Sequence, residues 1–216
     1  MDKIKTLEEI SAIFKDGQVL MIGGFLCAGT PDAFIDILIE KDIRNLTVIA
    51  NDTGFPDRGI GKLVVNKQIK KLIATHVGTN KHTGIQMNSG EMEVDIIPQG
   101  TLAEKIRSAG VGLGGFLTPT GVGTVIEQGK QKLTIDGREY LLELPIRAEI
   151  ALLHAYKADK SGNLVYRRAS RNFNPLMAMA ADLVIVSAEH IVEVGELGPD
   201  EIVTPGKLVD IITEGM

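Results

Sequence analysis

The sequence predicts an α/β protein with a mostly parallel sheet flanked by helices and one β-hairpin excursion. Short apolar runs of the kind that form buried parallel strands recur along the chain. Segments with helical spacing follow several of these runs, a succession typical of strand–loop–helix units. The 216 residues are enough for one sizeable core, and we interpret residues 1–216 as one domain.

The first half of the chain carries two helix-start signals and four apolar runs. Thr6 and Glu9 match a capping box, which predicts an amphipathic helix that reaches Phe14. Thr30 offers a hydroxyl that can N-cap, and Pro31 suits the first position of the helix that follows. A later helix is predicted over residues 101–108. The predicted strands are residues 19–22, 46–50, 69–74 and 94–97.

The second half carries a hairpin signal and a glycine-rich segment. Asp136 and Gly137 separate two apolar segments, and this dipeptide suits a tight type I′ turn. Residues 109–123 interleave glycines with apolar side chains, so we expect an ordered functional loop rather than a polar linker. Further strands are predicted at residues 150–153, 164–166 and 183–186.

The most informative motif joins the first strand to the second helix. The strand ends in Gly23 and Gly24, and a tight loop to Gly29 precedes the helix start. Strand, glycine loop and helix N-terminus form a general device for binding phosphate or another anion. A purely structural joint explains the spacing equally well, and neither a Walker A loop nor the Rossmann spacing is present. Ligands of such sheets bind at the carboxyl ends of strands, which places the loops of interest after Gly23, Asn51, Thr75 and Pro98.

Composition argues against several classes of function. The net charge of −5 and the 4% aromatic content disfavour a nucleic-acid binder. No segment is apolar for long enough to span a bilayer, and the N-terminus lacks the apolar core of a signal peptide. The single cysteine excludes an intrachain disulfide, so we expect a cytoplasmic protein without a membrane partner.

Few residues offer chemistry by themselves. Cys27 has no base beside it in sequence, and we interpret it as an incidental small apolar residue. The four histidines show no metal-ligand spacing, so we expect no metal site. Gln99 follows an apolar strand and precedes a helix, which places it at the carboxyl end of the sheet, beside the first loop. Its amide can donate to a carboxylate or carbonyl; the alternative is a role in the turn alone.

Seven motifs stand in a fixed order along nearly the whole chain, at residues 16–17, 23–31, 51–53, 89–91, 98–102, 114–124 and 169–175. In this order they resemble the α subunit of family I coenzyme A transferases, most of all the acetate/acetoacetate (short-chain fatty acid) type.

The resemblance implies an α/β CoA-transferase fold and a β subunit of similar fold, usually in an α2β2 assembly. The implied reaction moves CoA from an acyl-CoA to a free carboxylate, so CoA would be a substrate and not a permanently bound cofactor. In the family a glutamate of the β subunit, in a Glu-Asn-Gly context, forms the covalent intermediate. That tripeptide does not occur here, so we expect no catalytic residue in this chain.

The resemblance also assigns site residues. Gln99 would line the acyl pocket, and Asn51, Gly115 and Phe116 would help to wall it. The stretch assigned to CoA is Gly23, Gly24, Phe25, Leu26, Cys27, Ala28 and Gly29.

Two rival functions belong to other classes. A non-catalytic sensor of an acyl-CoA or sugar phosphate would bind its ligand without a β chain. A nucleotide-dependent oxidoreductase would need a dinucleotide fingerprint, which we cannot place in this sequence.

Overall fold

The computed structural model of the protein describes residues 3–215. The α-helices within that range are α1 (Leu7–Ser11), α2 (Asp32–Glu40), α3 (Ile60–Val65), α4 (Lys81–Ser89), α5 (Gln99–Gly110) and α6 (Asn174–Met177). The strands are β1 (Val19–Ile22), β2 (Leu46–Ile49), β3 (Ile69–Ala74), β4 (Glu93–Ile96), β5 (Phe116–Thr118), β6 (Lys132–Ile135), β7 (Arg138–Glu143), β8 (Ala148–Asp159), β9 (Leu164–Val165), β10 (Ala181–Val192) and β11 (Ile211–Glu214).

The main sheet confirms the predicted α/β class. Its strand order is β11-β10-β8-β1-β2-β3-β4, and every neighbouring pair on this path is parallel; β9 adds an antiparallel pairing to β8. One face packs on α1, α2 and α3 through a core that includes Ile10, Phe34 and Leu63. The other face packs on α5 and α6 through Leu102 and Met177. Apolar residues on both faces explain why the strands read as short continuous apolar runs.

The predicted hairpin excursion is a separate three-stranded antiparallel sheet of order β5-β7-β6. Asp136 (φ 49°) and Gly137 (φ 78°) both have left-handed backbones, as a type I′ turn requires. Part of the glycine-rich segment forms β5 and pairs with β7. The buried Glu143 at the end of β7 accepts from Lys105 of α5 at 3.0 Å and also pairs with Lys130. The Lys105 ion pair attaches the small sheet to α5.

Three predicted helix boundaries are wrong. The capping box is present, but α1 ends at Ser11, so Phe14 packs into the core from outside the helix. Thr30 does not cap α2, because Pro31 occupies the N-cap and the Thr30 hydroxyl lies against Gly24 instead. Helix α5 begins two residues earlier than predicted, because Pro98 serves as its N-cap and its carbonyl accepts from the first helical turn.

Strands β8 and β10 are each 12 residues long, far longer than the predicted apolar runs. Their carboxyl-terminal halves pair with one another, and polar residues such as Lys157 and His190 lie opposite each other there, while Ala155, Ala158 and Ala188 remain buried in the core. Polar residues interrupt the apolar run in this half of each strand, so the run alone could not predict the extension. Among residues 3–215, no helix combines the length and apolar character needed to cross a membrane.

Candidate functional site

Four loops meet along the carboxyl edge of the main sheet, as the sequence predicts. Gly23, Asn51, Thr75 and Gln99 follow β1, β2, β3 and β4, which are neighbours in the sheet. The Nε2 of Gln99 donates to Oδ1 of the buried Asn51 at 3.0 Å. Gln99 therefore contacts the loop after β2, whereas the 23–29 loop contacts the same region through Asp52.

The 23–29 loop ends in a type I′ turn. Phe25 and Ala28 exchange two backbone hydrogen bonds of 3.0 and 2.9 Å. The central residues, Leu26 (φ 47°) and Cys27 (φ 70°), both have left-handed backbones. Such a conformation costs about 1–3 kcal/mol for a residue other than glycine. Phe25 and Leu26 are 39% and 37% exposed, so the turn presents two apolar side chains to solvent.

The first two glycines of the motif accommodate protein side chains. A Cβ on Gly23 would lie 1.9 Å from Oδ1 of Asn174, and a Cβ on Gly24 would lie 2.1 Å from Oγ1 of Thr30. These close approaches require glycine whatever the loop binds. At Gly23 and Gly24 the structure therefore supports a purely structural role in the connection between strand and helix, rather than a need for ligand approach.

The backbone N–H groups of the turn are mostly engaged within the protein. Gly24 N donates to Oδ1 of Asn172 at 3.1 Å, and Leu26 N donates to Oδ2 of Asp52 at 3.0 Å. Phe25 N and Ala28 N bond each other's carbonyl oxygens. These four N–H groups are therefore not available to an anion. The first turn of α2 also carries the carboxylate of Asp32, which disfavours an anion at that helix N-terminus.

Two asparagines of the second half hold the loop, a role that sequence analysis missed. Asn172 Nδ2 donates to the carbonyl of Ala28 at 2.9 Å. The fully buried Asn174 donates to the carbonyl of Gly29 at 3.1 Å and accepts from the backbone N–H of His154 at 3.1 Å. Both belong to the 169–175 motif, but no local signal connects that segment with a loop so distant in sequence.

The side chain of Cys27 turns inward from the strained turn. A Cβ on Gly54 would lie 2.5 Å from the Cys27 Sγ, so the thiol fills the space beside this glycine. Burial raises the pKa of the Cys27 thiol, and the negative charges of Asp52 and Asp32 raise it further. The thiol is neutral at physiological pH and acts as a packing group.

Phe116 faces a groove between β5 and the start of α5. The groove has a volume of about 410 Å³, and Gly100, which directly follows Gln99, forms part of its wall. Gly115 precedes Phe116, and a Cβ there would lie 2.9 Å from the carbonyl oxygen of Glu143. The structure thus brings Phe116 next to the helix turn that carries Gln99. The groove is lined by Gly100, Thr101, Glu104, Phe116, Leu117, Thr118 and Thr120.

A second groove reaches the other side of the 23–29 loop. It has a volume of about 320 Å³ and is lined by Ala28, two exposed arginines, Arg167 and Arg168, and Glu189, among others. The two arginines directly precede the 169–175 motif and lie outside it. Across residues 3–215, no group of three or more His, Cys, Asp or Glu side chains is placed to hold a metal ion.

Comparison with known proteins identifies the family. The family model for coenzyme A transferase matches residues 4–215. The chain is 55% identical to the alpha subunit of acetate CoA-transferase from Escherichia coli K12 over 210 residues, which cover 97% of this chain and 96% of the relative. It is 51% identical to the alpha subunit of acetoacetyl-CoA:acetate/butyrate CoA transferase from Clostridium acetobutylicum, covering 98% of this chain and 97% of the relative.

Solved structures share the fold. An acyl-CoA transferase from Escherichia coli O157:H7, in a thioester complex with CoA, superposes with a TM-score of 0.85 at 22% identity; the match covers 99% of this chain and 49% of that chain. Glutaconate coenzyme A-transferase from Acidaminococcus fermentans superposes with a TM-score of 0.84 at 17% identity. This match covers 98% of this chain and 75% of that chain. The chain thus spans about half the length of the first structure. With a family model matched over nearly its whole length, this chain belongs to the coenzyme A transferase family.

Proposed function

We propose that this chain is the α subunit of an enzyme that moves CoA between a short-chain acyl-CoA, such as acetoacetyl-CoA, and a free carboxylate, such as acetate. The observation that carries the proposal is the high identity, over nearly the full length of both chains, to two proteins named for this chemistry. Both relatives are named as alpha subunits, which implies a β partner. We assign the glutamyl-CoA intermediate to that partner and an α2β2 stoichiometry to the complex.

In this proposal Asn51 and Gln99 bind the reacting acid. Asn51 Oδ1 accepts from Gln99, while Asn51 Nδ2 donates to no residue of the described range. That N–H group and the amide of Gln99 can donate to a carboxylate or a thioester carbonyl. Neutral amides can hold an acid without a fixed positive charge. Phe116 and Gly115, at the neighbouring groove, would bound the acyl chain.

CoA would contact the 23–29 loop through side chains, since most backbone N–H groups of the turn are occupied. The exposed Phe25 and Leu26 offer apolar surface to the pantetheine arm. Arg167 and Arg168, in the groove beside Ala28, supply positive charge suited to phosphate groups. CoA would enter as a substrate and leave as a product, so the chain would hold no resident cofactor. We place the enzyme in the cytoplasm.

Reconstitution tests the proposal. The chain is combined with a candidate β subunit, acetoacetyl-CoA and acetate, and acetyl-CoA is measured. We expect turnover from the pair and none from either chain alone. Robust turnover by this chain alone would overturn the split-site assignment, and ligand binding without any turnover in the pair would favour the sensor.

Gln99→Ala tests the acid-binding role in the same assay. It removes the amide, so we expect a loss of tenfold or more in kcat/KM, of the order of one hydrogen bond in the transition state. Gln131→Ala is the matched control, because Gln131 is exposed beside the small sheet. Assembly of the two chains, measured by size-exclusion chromatography, should be unchanged in both variants. Equal rates for the two variants would remove Gln99 from the site.

A further inference from the structure

Thr75 contacts the buried amide that holds Gln99. Its hydroxyl oxygen lies 2.9 Å from Oδ1 of Asn51 and 2.8 Å from the Asn51 carbonyl oxygen. The Nε2 of Gln99 reaches the same Oδ1 at 3.0 Å. Asn51 is 2% exposed and Gln99 is exposed. Side-chain contacts therefore connect Thr75, which directly follows β3, through the buried Asn51 to Gln99 at the surface of the candidate site.

A backbone hydrogen bond fixes Thr75 relative to Asn51. Thr75 N donates to the carbonyl of Asn51 at 2.9 Å, which continues the pairing of β2 and β3 beyond the strands. The two residues therefore keep their spacing. What the backbone does not fix is the side-chain amide of Asn51, whose oxygen and NH₂ ends have nearly the same shape.

The orientation of that amide decides how Gln99 is held at the site. The single proton of the Thr75 hydroxyl lies between the Asn51 carbonyl oxygen and Oδ1. The same Oδ1 accepts from one N–H of Gln99 Nε2, which leaves the second N–H of that group to donate to the acid. If the Asn51 amide turned over, its NH₂ group would meet the NH₂ group of Gln99. Two donors cannot bond each other, so Gln99 would have to rotate away from this position.

We propose that Thr75 is a positioning residue that acts on Gln99 through the amide of Asn51. The proposal rests on the proposed function for its consequence in turnover, but not for the side-chain order that it describes. Thr75 itself would touch neither the acid nor CoA. Its hydroxyl would select one of the two amide orientations of Asn51, and hence the hydrogen-bonding face that Gln99 offers to the carboxylate.

The kinetic test uses the reconstituted complex and compares Thr75→Val with Thr75→Ser. Valine keeps the branched shape without the hydroxyl, and serine keeps the hydroxyl without the methyl group. For T75V we expect kcat/KM for acetate to fall about tenfold, the scale of one lost hydrogen bond, while KM for acetoacetyl-CoA stays within about twofold. T75S should restore the wild-type value. Impairment of T75S equal to that of T75V would overturn the proposal.

Coupling to Gln99 gives a second kinetic criterion. If Thr75 acts through Gln99, adding T75V to Gln99→Ala should cost little beyond Gln99→Ala alone. Independent, multiplying losses in the double variant would contradict the proposed route through Asn51.

A readout without turnover separates this inference from the proposed function. Side-chain NH₂ resonances of Asn51 and Gln99 are recorded by NMR in the wild-type chain and both variants. We expect T75V to shift the Gln99 NH₂ signals and T75S to leave them in place. Unshifted Gln99 signals in T75V would refute the positioning role. If the reconstituted wild type shows no turnover, the proposed function fails while these spectra still decide the role of Thr75.

Discussion

At the scale of single residues, the glycine motif is explained by the side chains that lie against it. Asn174 and Gly29 bond each other although they are 145 residues apart, and Asn174 occupies the space that a side chain on Gly23 would need. A pattern read along the chain shows a glycine but not its distant neighbour. The sequence could therefore locate this loop without revealing why Gly23 and Gly24 are required.

Gly23→Ala should destabilise the fold. The new methyl group would displace the Asn174 amide, which is held by bonds to His154, Gly29 and Ser170. We expect a loss of about 1–3 kcal/mol, as for overpacking in a well-packed core, measured by urea unfolding.

The matched control for this change is Gly84→Ala. Gly84 lies inside α4 with no atom within 4 Å of the added methyl group. Alanine there should stabilise the protein by about 0.5–1 kcal/mol, because glycine is unfavourable inside a helix. Equal effects at the two positions would contradict the close-approach explanation.

Cys27 should behave as a protected, weakly acidic thiol. Burial raises its pKa, and Asp52 and Asp32 add to the effect, so the reactive thiolate is scarce at neutral pH. We expect alkylation by iodoacetamide to be slow at pH 8 and to accelerate only as the pH rises past the thiol's usual value of 9.0. Since Cys27 is the only cysteine, intact mass reports its modification directly. The control is the same chain in urea, and equal rates in the two states would refute the protected environment.

At the scale of elements, short buried strands were predictable and polar elements were not. Residues 69–74 form β3 as predicted, because a strand buried on both faces reads as an apolar run. Helix α4 has no clear apolar stripe, so its sequence pattern did not predict a helix. Its sequence is Lys-His-Thr-Gly-Ile-Gln-Met-Asn-Ser. It is fixed by Asn80, which caps its first turn, and by Gln86, whose amide donates to the Val64 carbonyl. The Gln86 contact joins residues far apart in sequence and leaves no periodic signal.

The attachment of the small sheet to α5 should depend on Glu143. This carboxylate is 2% exposed and pairs with Lys105 and Lys130. Glu143→Gln would leave two ammonium groups without their counter-charge, and we expect a loss of about 1–3 kcal/mol in the free energy of unfolding. Glu139→Gln on the same strand is the control, because Glu139 also forms an ion pair, with Lys132, but its side chain is 48% exposed. That control should change stability by less than about 1 kcal/mol.

The stabilisation that Glu143 provides should be lost in acid. Burial alone would raise the pKa of Glu143, but Lys130 and Lys105 outweigh it and hold the pKa below its usual value of 4.5. The folded-state pKa is thus lower than the unfolded one, so this stabilisation is complete above pH 4.5 and is lost as the pH falls through the folded-state pKa. The difference in unfolding free energy between the wild type and E143Q should therefore shrink in acid. If the difference in unfolding free energy between the two proteins stayed constant as the pH fell below 4.5, the ion-pair explanation would be contradicted.

At the scale of the whole molecule, the candidate site is open and incomplete. Phe25, Leu26 and Phe55 are each at least 36% exposed, and the first two belong to the strained turn. Asn51 and Gln99 bring amide groups to the same edge of the sheet, but neither group can act as a covalent nucleophile. Two amides that cannot react covalently fit the proposal that the covalent chemistry resides on a partner.

The covalent intermediate should therefore form on the partner chain alone. When the reconstituted complex is mixed with acetoacetyl-CoA and quenched in acid, intact mass spectrometry should find CoA attached to the partner, while this chain keeps its mass of 23.3 kDa. A thioester on an acidic residue of this chain would show that it carries the nucleophile itself and would refute the half-site. The Gln99→Ala complex supplies the internal comparison. Its adduct should form more slowly but on the same chain, because Gln99 is assigned to binding the acid and not to bonding with CoA.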